Sequence, residues 1–589
     1  IDAAMKHVKA DQKVSAEFGT AMEKAVADIF KIRGFMAHGV QRKGIPGFEV
    51  ENWQDAVLEY ISGYSGFKSK MIAAREMWSA WPNVDWSKKP RLRAYADKQV
   101  RDTFTNADRA DLTVDKMRAL LFYKFLAFNA KSAALQLSQN YITAIPRLIA
   151  EEGAVAAGRV QAEMIRAGYD VARAAFTKPG KGLTRRQTAQ AKRLTTEERM
   201  GLNRARENGI ISAQTTEELA GQQLGKFGTG GRMLAKSAQF MFQSMELFNR
   251  ETTYIAAFRV AKKKGLPFEQ AARFAEKIID QTHWRYGSLN LPPFARGPVG
   301  KYGRGLYAFR HYTRNLFHFW RALGARHGLK GKSGLAVSFG ALLLWGGVLS
   351  MPFIKTLDEV YTKIYGKSLL GLMTEKAGRW SRYMLYGAPE MIGVDLTGSL
   401  GTDVLDSVED ILGAPTVAYT ETKRFIEDIK GGDYQRAVED APIMLTAPKN
   451  VLQAHRLATR GLETRAGKQK VGEDLEPIKF TFGDRIKKSL GFQPTKVSET
   501  YRTERERNNV RRAWTNKKKK LVERFVKGSR RYGLESKQVS RIMDRIEEFN
   551  KEVPLLVPPI TVDTLLKGQR PDYPSKREST YFGGDVLAE

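Results

Sequence analysis

Apolar residues along this chain recur mostly at helical spacing. Over Pro267–Gln281 one stripe collects Ala271, Phe274, Ala275 and Ile278, and Pro267 follows Gly265-Leu266 where a helix would start. Val539, Ile542, Met543, Ile546 and Phe549 form a second stripe near the C-terminus. Thr195 and Glu198 have the spacing of a capping box, and Gly209 is placed to end the helix that follows. Alternating patterns are short and rare, Lys479-Phe-Thr-Phe482 being the best of them, and no repeat of solenoid length is present. The pattern predicts a mainly α, elongated multi-helix protein, with long helices and few short strands.

Glycine and proline punctuate it. Thr177–Arg186 is a basic Gly/Pro hinge, Leu291–Gly305 an irregular connection, and Gly461–Thr495 a Gly/Lys-rich separator. These breaks suggest a helical region over 1–175, another over 176–300, a basic-aromatic and apolar-helix region over 301–460, and basic helices with a Pro-rich tail over 461–589. Beyond Val553 the tail, with Pro558-Pro559 and Pro571-Asp-Tyr-Pro574, is expected to run extended and to wrap a neighbour.

The run Gly334–Ile354 carries no charge and is long enough, as one helix, to cross a bilayer core. Arg321, Arg326, Lys330 and Lys332 precede it. A basic-aromatic segment with Tyr302, Arg304, Tyr307, Phe309, Arg310, Tyr312 and Arg314 leads into it. Phe317, Phe319, Trp320, Leu342, Leu343, Leu344, Trp345 and Phe353 are the candidate membrane or subunit contacts. A central buried helix of a large assembly is the alternative, and the sequence leaves both open.

Charge sharpens the picture. Lys plus Arg number 97 against 64 Asp plus Glu, a formal +33 over 589 residues, which favours an anionic partner. The excess is densest on a long predicted helix within Ser498–Tyr532. There Arg502, Arg505, Arg507, Arg511, Arg512, Lys517, Lys518, Lys519, Lys520, Arg524, Arg530 and Arg531 surround a narrow seam of Val510, Trp514, Leu521 and Phe525. Either the helix packs by its seam and its cations are merely solvated, or the cations meet phosphates without reading bases.

Chemistry is sparse. Cysteine is absent, which excludes disulfides and thiolate metal sites. His311 and His318, two of seven histidines, are seven residues apart and lack HExxH spacing. No phosphate loop or nucleophile elbow occurs, and Gly228-Thr-Gly-Gly231 reads as a flexible turn. The pairs Glu197/Glu198 and Glu217/Glu218 suit helix starts, and Asp395 suits a turn cap. No nucleophile, base and orienting group assemble, so no catalytic residue, metal or cofactor is expected. The chain opens on Ile1 and shows no secretory signal over Ile1–Lys31, so a processed chain or a piece of a longer polypeptide is expected.

Several segments, in order, resemble a known family. Phe128-Asn-Ala-Lys-Ser-Ala-Ala-Leu-Gln-Leu-Ser-Gln139 is similar to its N-x-x-S-A-x-x-N-x-x-Q block. Leu194–Arg199, Gly209–Gln214 and Glu218–Gly221 resemble the next. Glu246-Leu-Phe-Asn-Arg-Glu-Thr-Thr253 resembles its E-x-x-N-R-x-x-T helix, and Thr282-His-Trp-Arg-Tyr286 with Phe309–Asn315 its T-H-x-x-Y and F-x-x-Y-x-x-N pair. Tyr386–Pro389, Gly393–Gly398 and Leu412–Pro415 complete the order. The family is the PLxRFG-motif group of large polyvalent phage proteins, and the resemblance covers roughly 120–495, continuing more loosely to the C-terminal helices. The hexapeptide itself is missing; Leu291–Gly297 only approximates it. The resemblance implies an internal virion or ejection protein. Its copies would stack as an oligomeric core near the portal, against packaged double-stranded DNA, and on infection would help form a conduit through the host envelope, touching its membrane. Partners would be copies of itself, the portal and other internal virion proteins. Enzymatic modules, where such proteins have them, lie upstream. The alternative is the C-terminal accessory DNA-handling region of a virion-packaged RNA polymerase or of another giant polyvalent protein.

Overall fold

The computed structural model describes residues 85, 87, 90–104, 124, 129–176, 193–212, 229–284, 311–326, 328–400, 414–441, 444–464, 467–471 and 476–569. The hinge at 177–186, the connection at 291–305, Glu217/Glu218, the first 31 residues and Pro571–Pro574 lie outside them.

The described residues are mainly helical. In chain order the helices are α1 (Pro90–Phe104), α2 (Ala130–Gln139), α3 (Ile145–Glu152), α4 (Ala157–Phe176), α5 (Thr196–Glu207), α6 (Thr229–Lys263), α7 (Phe268–Thr282), α8 (His311–Arg326) and α9 (Gly328–Gly346). Then come α10 (Ile354–Tyr365), α11 (Leu369–Ala377), α12 (Ser381–Tyr386), α13 (Ala414–Lys430), α14 (Tyr434–Glu439), α15 (Thr446–Thr459), α16 (Phe482–Ser489), α17 (Thr495–Tyr532), α18 (Lys537–Glu552) and α19 (Val562–Gln569). The described strands are two residues each, β1 (Val394–Asp395) and β2 (Gln493–Pro494), paired antiparallel with Val394 opposite Pro494. This pairing joins residues about a hundred positions apart, so it is not a hairpin. Lys479–Thr481 is not a strand either. Thr481 instead caps α16: its hydroxyl accepts from the Asp484 amide while the Asp484 carboxylate accepts from the Thr481 amide. Thr229-Gly-Gly231, read as a turn, forms the first turn of α6.

Two compact units divide the chain, one of 1–338 with 408–452, the other of 339–407 with 453–589. The first is built around α6. Val160, Met164, Ala167 and Val171 line one face of α4, and Ala271, Ala272, Ala275, Ile278 and Ile279 one face of α7. Both stripes bury against Tyr254, Ile255, Phe258 and Ala261 of α6. Alanines let α6 and α7 approach closely, and Gly201 of α5 does the same, since a Cβ there would sit 2.6 Å from the Tyr254 hydroxyl. The expected capping box at Thr195 and Glu198 is formed, and Gly209 leaves α5 with φ +67°.

A seam of buried polar groups runs through this core. Between α2 and α3 the chain makes one π-helical turn, Asn140–Ala144. Thr253 Oγ1 bonds Asn140 Oδ1 at 3.1 Å and lies 2.8 Å from Nε2 of His283. Gln139 Nε2 donates to the Thr282 carbonyl at 3.1 Å, and Asn249 donates to the Gln136 carbonyl. Arg250, 2 % exposed, donates to the Ile210 carbonyl at 3.2 Å and pairs with Glu246. Gln139, Asn249, Arg250, Thr253, Thr282 and His283 belong to three of the segments quoted for the resemblance, and Asn140 adjoins the first. In this fold they bond one another in the interior.

The apolar run does not form one helix. α9 ends at Gly346, and Gly347 turns away at φ +62°, where a Cβ would collide with the Leu385 carbonyl. A 3-10 turn, Val348–Ser350, follows; the Ser350 hydroxyl lies 2.8 Å from the Leu342 carbonyl oxygen and 2.7 Å from that of Gly347, folding the turn back on the end of α9. Pro352 has no amide to donate, and Phe353, at φ +64°, restarts the chain as α10. Among the described residues no helix is long and apolar enough to cross a membrane. The small face of α9 is instead used for close packing. Gly334 abuts Pro146, where a Cβ would fall 2.5 Å from the carbonyl oxygen, and Ser338 donates to the Ile142 carbonyl at 2.6 Å.

In the second unit α17, α18 and α19 share a core of Trp514, Leu521, Val522, Phe525, Val539, Ile546, Phe549, Val557, Ile560 and Leu565. The C-terminal stripe thus packs as expected, with Met543 left exposed. The segment after Val553 is not extended as far as Gln569. Asn550 clamps Ile560 by two hydrogen bonds, at 2.9 and 2.7 Å, and α19 returns so close to α17 that a Cβ on Gly568 would meet Val522 at 2.9 Å.

Candidate nucleic-acid interface

The basic helix predicted within Ser498–Tyr532 is α17, and its apolar seam faces α18 and α19: Trp514, Leu521 and Phe525 are buried and Val510 half-buried. The cations around that seam fall into two sets.

One set is engaged inside the unit. Arg502, 12 % exposed at its side chain, pairs with Glu506 at 2.5 Å; burial pulls its pKa down, but Glu506 and then the Tyr386 hydroxyl together raise it above the ordinary value. Lys518 donates to the carbonyls of Pro558 and Pro559 at 3.0 and 3.1 Å, and burial lowers its pKa. Arg530 donates to the Gln569 carbonyl at 2.9 Å. Lys517 lies 4.6 Å from the Trp514 ring centroid, near Glu552. These contacts engage Arg502, Lys518 and Arg530 within the unit, which leaves the other cations of α17 more open to an outside anion.

The other set points away. Lys520, Arg524, Lys527 and Arg531 recur at intervals of four, three and four, which places them on one side of the helix. All four are exposed. Lys520, Arg524 and Lys527 make no ion pair or hydrogen bond among the described residues, and Arg531 rests against the Tyr532 ring. Over eleven residues the row spans about 17 Å. Arg505, Arg512 and Lys519, seven apart, follow a second line nearer the opposite side from the seam, and Arg511 is exposed beside them. Lys527 was not among the residues singled out from the sequence; its three-residue spacing from Arg524 is the signal that marks it.

A cleft of about 950 Å³ opens at the N-terminal end of α17, lined among others by Arg382, Lys470, Lys496, Arg502, Glu499 and Glu504. Its cations are largely neutralised in place: Arg382 pairs with Glu390 and Glu499 at 3.1 and 3.3 Å, and Lys470 with Glu504. On the outer row Glu523 lies between Lys520 and Lys527 in sequence, but no described carboxylate comes within ion-pair distance of Lys520, Arg524 or Lys527.

The candidate membrane or subunit contacts divide as well. Phe319, Trp320 and Leu342 are buried in the chain's own core, with Trp320 Nε1 donating to Ser338 Oγ at 2.9 Å and the Phe317 ring edge-on to Trp320. Trp345 is half-buried, while Leu343, Leu344 and Phe353 are exposed. One helical step of 100° is enough to turn Leu343 outward from Leu342. His318 is exposed on α8, with its pKa lowered by burial of part of the ring and by Arg314 and Arg321. Asp395 organises its own turn by accepting from the Thr397 amide at 2.8 Å. Among the described residues no group of three or more His, Asp or Glu is placed to hold a metal ion. Comparison of the chain with known protein families, curated proteins and solved structures gives no match.

Proposed function

We propose that this chain is an internal virion protein of a phage, released with the genome, and that the outer row of α17 is its contact with packaged double-stranded DNA. The observation that carries the reading is the row Lys520, Arg524, Lys527 and Arg531, exposed on a rigid helix and lacking carboxylate partners. Such a row attracts a polyanion by counterion release, and flexible cationic side chains on a helix flank contact phosphates rather than base edges. The collinear resemblance to large polyvalent phage proteins supports the virion setting, and the chain's +33 charge suits close-packed DNA. Copies of the chain would assemble near the portal with other internal proteins and on infection help line a conduit across the host envelope. Because the apolar run breaks at Gly347, Gly334–Ile354 is not taken as a single membrane-crossing helix, and contact with the host membrane is assigned to surfaces of the assembled protein.

Mass spectrometry of purified, nuclease-treated particles tests the virion setting. Peptides of this chain in DNA-filled particles, and their loss from particles after ejection, are expected. Absence from the filled particle would overturn it.

A further inference from the structure

α10 is built inside out. Its inward side is polar: Asp358 and Thr362 are 4 % and 1 % exposed. Asp358 Oδ1 accepts from the Ser368 hydroxyl at 2.8 Å and from the Leu370 amide at 3.0 Å, fixing the start of α11, and Thr362 donates to the Asp358 carbonyl at 2.7 Å. Ile354 packs inward against the cluster of Leu349, Leu370, Leu385 and Tyr386, but the other aliphatic side chains of the helix face away from the unit. Leu357, Val360 and Ile364 are 54 %, 48 % and 67 % exposed, with Tyr365 at 63 % beside them. An amphipathic helix normally buries its apolar stripe. Here the stripe is left outside, while polar contacts hold the helix in place.

Leu357, Val360 and Ile364 recur at intervals of three and four, and Phe353, four residues earlier, continues the row. This is the spacing by which one helix seats its side chains against another helix. The rim of the row carries Glu359 and Lys363, exposed and paired with each other at 2.9 Å. We propose that this row is an interface between copies of the chain, in which α10 of one copy packs antiparallel against α10 of a second about a two-fold axis. The rim favours this occupant. Across a two-fold axis Glu359 of each copy can meet Lys363 of the other, so the surface is complementary to itself. A helix made to lie on an anionic bilayer carries a cationic polar side instead, whereas this rim has one charge of each sign. The inference deepens the self-association in the proposed function and rests on that reading only for its setting in the virion.

The experiment uses the full chain and two readouts. Sedimentation velocity is expected to give a dimer or a larger assembly, and Leu357→Glu with Ile364→Glu is expected to lower the assembled mass or weaken association at least tenfold. Both side chains are exposed in the single chain, so the helical circular-dichroism spectrum should not change. The chain has no cysteine, so Val360→Cys is a lone thiol; mild oxidation should yield a covalent dimer, while Met391→Cys, exposed elsewhere, should not. A monomeric parent chain overturns the proposal, as does a double variant with unchanged mass together with no Val360→Cys dimer. Loss of binding to phosphatidylglycerol vesicles in the double variant with no change in mass also overturns it, assigning the row to a bilayer. Duplex DNA binding should be the same in the double variant, so failure here is distinguishable from failure of the DNA reading.

Discussion

Thr253 Oγ1 lies 2.8 Å from Nε2 of His283, with both residues buried in the core of the first unit. With the Thr253 hydroxyl donating to Asn140 Oδ1, the ring nitrogen is left to donate to Thr253. Burial, and then the charge of Arg250, holds the His283 pKa well below the ordinary histidine value. The unfolded chain protonates this ring near pH ~6.5. Between that value and the lower folded one, only the unfolded state carries the proton, so stability rises with pH across the window. The first unit should therefore hold its full stability above about pH 6.5 and lose it progressively as pH falls. Urea midpoints measured from pH 7 downward check this. His283→Gln, which can still bond Thr253, should flatten the slope; an unchanged slope would place the pH dependence elsewhere.

Arg259 joins three helices through charge, with Nε 2.7 Å from Glu198 and Nη2 2.9 Å from Asp170, both carboxylates nearly buried. Arg259→Leu would leave Glu198 without a cation and Asp170 with only the longer contact to Arg193, at 3.5 Å. A loss of about 3–5 kcal/mol is expected in denaturant unfolding of that unit. A cost below about 1 kcal/mol, the range of exposed pairs, would show that water reaches the site.

Gly347 and Gly387 pass each other closely, and a Cβ on Gly387 would lie 2.6 Å from the Leu344 carbonyl oxygen. Both have positive φ, 62° and 74°. Gly347→Ala should destabilise the second unit by more than about 1 kcal/mol, the ordinary cost of forcing a side chain into that backbone region. Equal or greater stability would mean that the apolar run can straighten into a single helix.

Asn550 receives the returning tail with both of its side-chain functions, and Lys518 caps the preceding prolines. Asn550→Ala should expose the Ile560 amide. Faster hydrogen exchange over 557–569, with the rest of α17 still protected, is the expected pattern. Uniform protection would mean that apolar packing of Val557, Ile560 and Leu565 holds the tail without the clamp.

Helix positions could be read from the chain because each stripe, at Ala271–Ile278, Val539–Phe549 and Val510–Phe525, reports a local period that the fold then uses. The capping box at Thr195 is local too, and so is the turn held by Asp395. What could not be read depends on partners far along the chain. The break at Gly347 requires the Leu385 carbonyl to arrive beside it, and nothing in Gly334–Ile354 announces that. Lys479–Phe482 alternates over too few residues to outweigh the Thr481–Asp484 cap. The polar blocks around Asn129–Gln139, Glu246–Thr253 and Thr282-His283 bond one another only because the chain brings the first back to the other two across more than a hundred residues. On α10, which side faces inward is decided by Ser368 and Leu370 bonding Asp358, groups outside the helix itself. On α17 the count of cations is plain, and their division into engaged and free sets appears only once Pro558, Gln569 and Tyr386 are in place.

The most direct test of the DNA reading is the salt dependence of binding to a duplex of arbitrary sequence, measured for the full chain and for Lys520→Gln, Arg524→Gln, Lys527→Gln and Arg531→Gln combined. Each phosphate contact contributes about −0.9 to the slope of log K against log salt, so removing four should shallow the slope by about 3–4. Binding should weaken equally on unrelated sequences, with the helical content unchanged. A slope that stays the same after all four substitutions would contradict the assignment of this row to DNA.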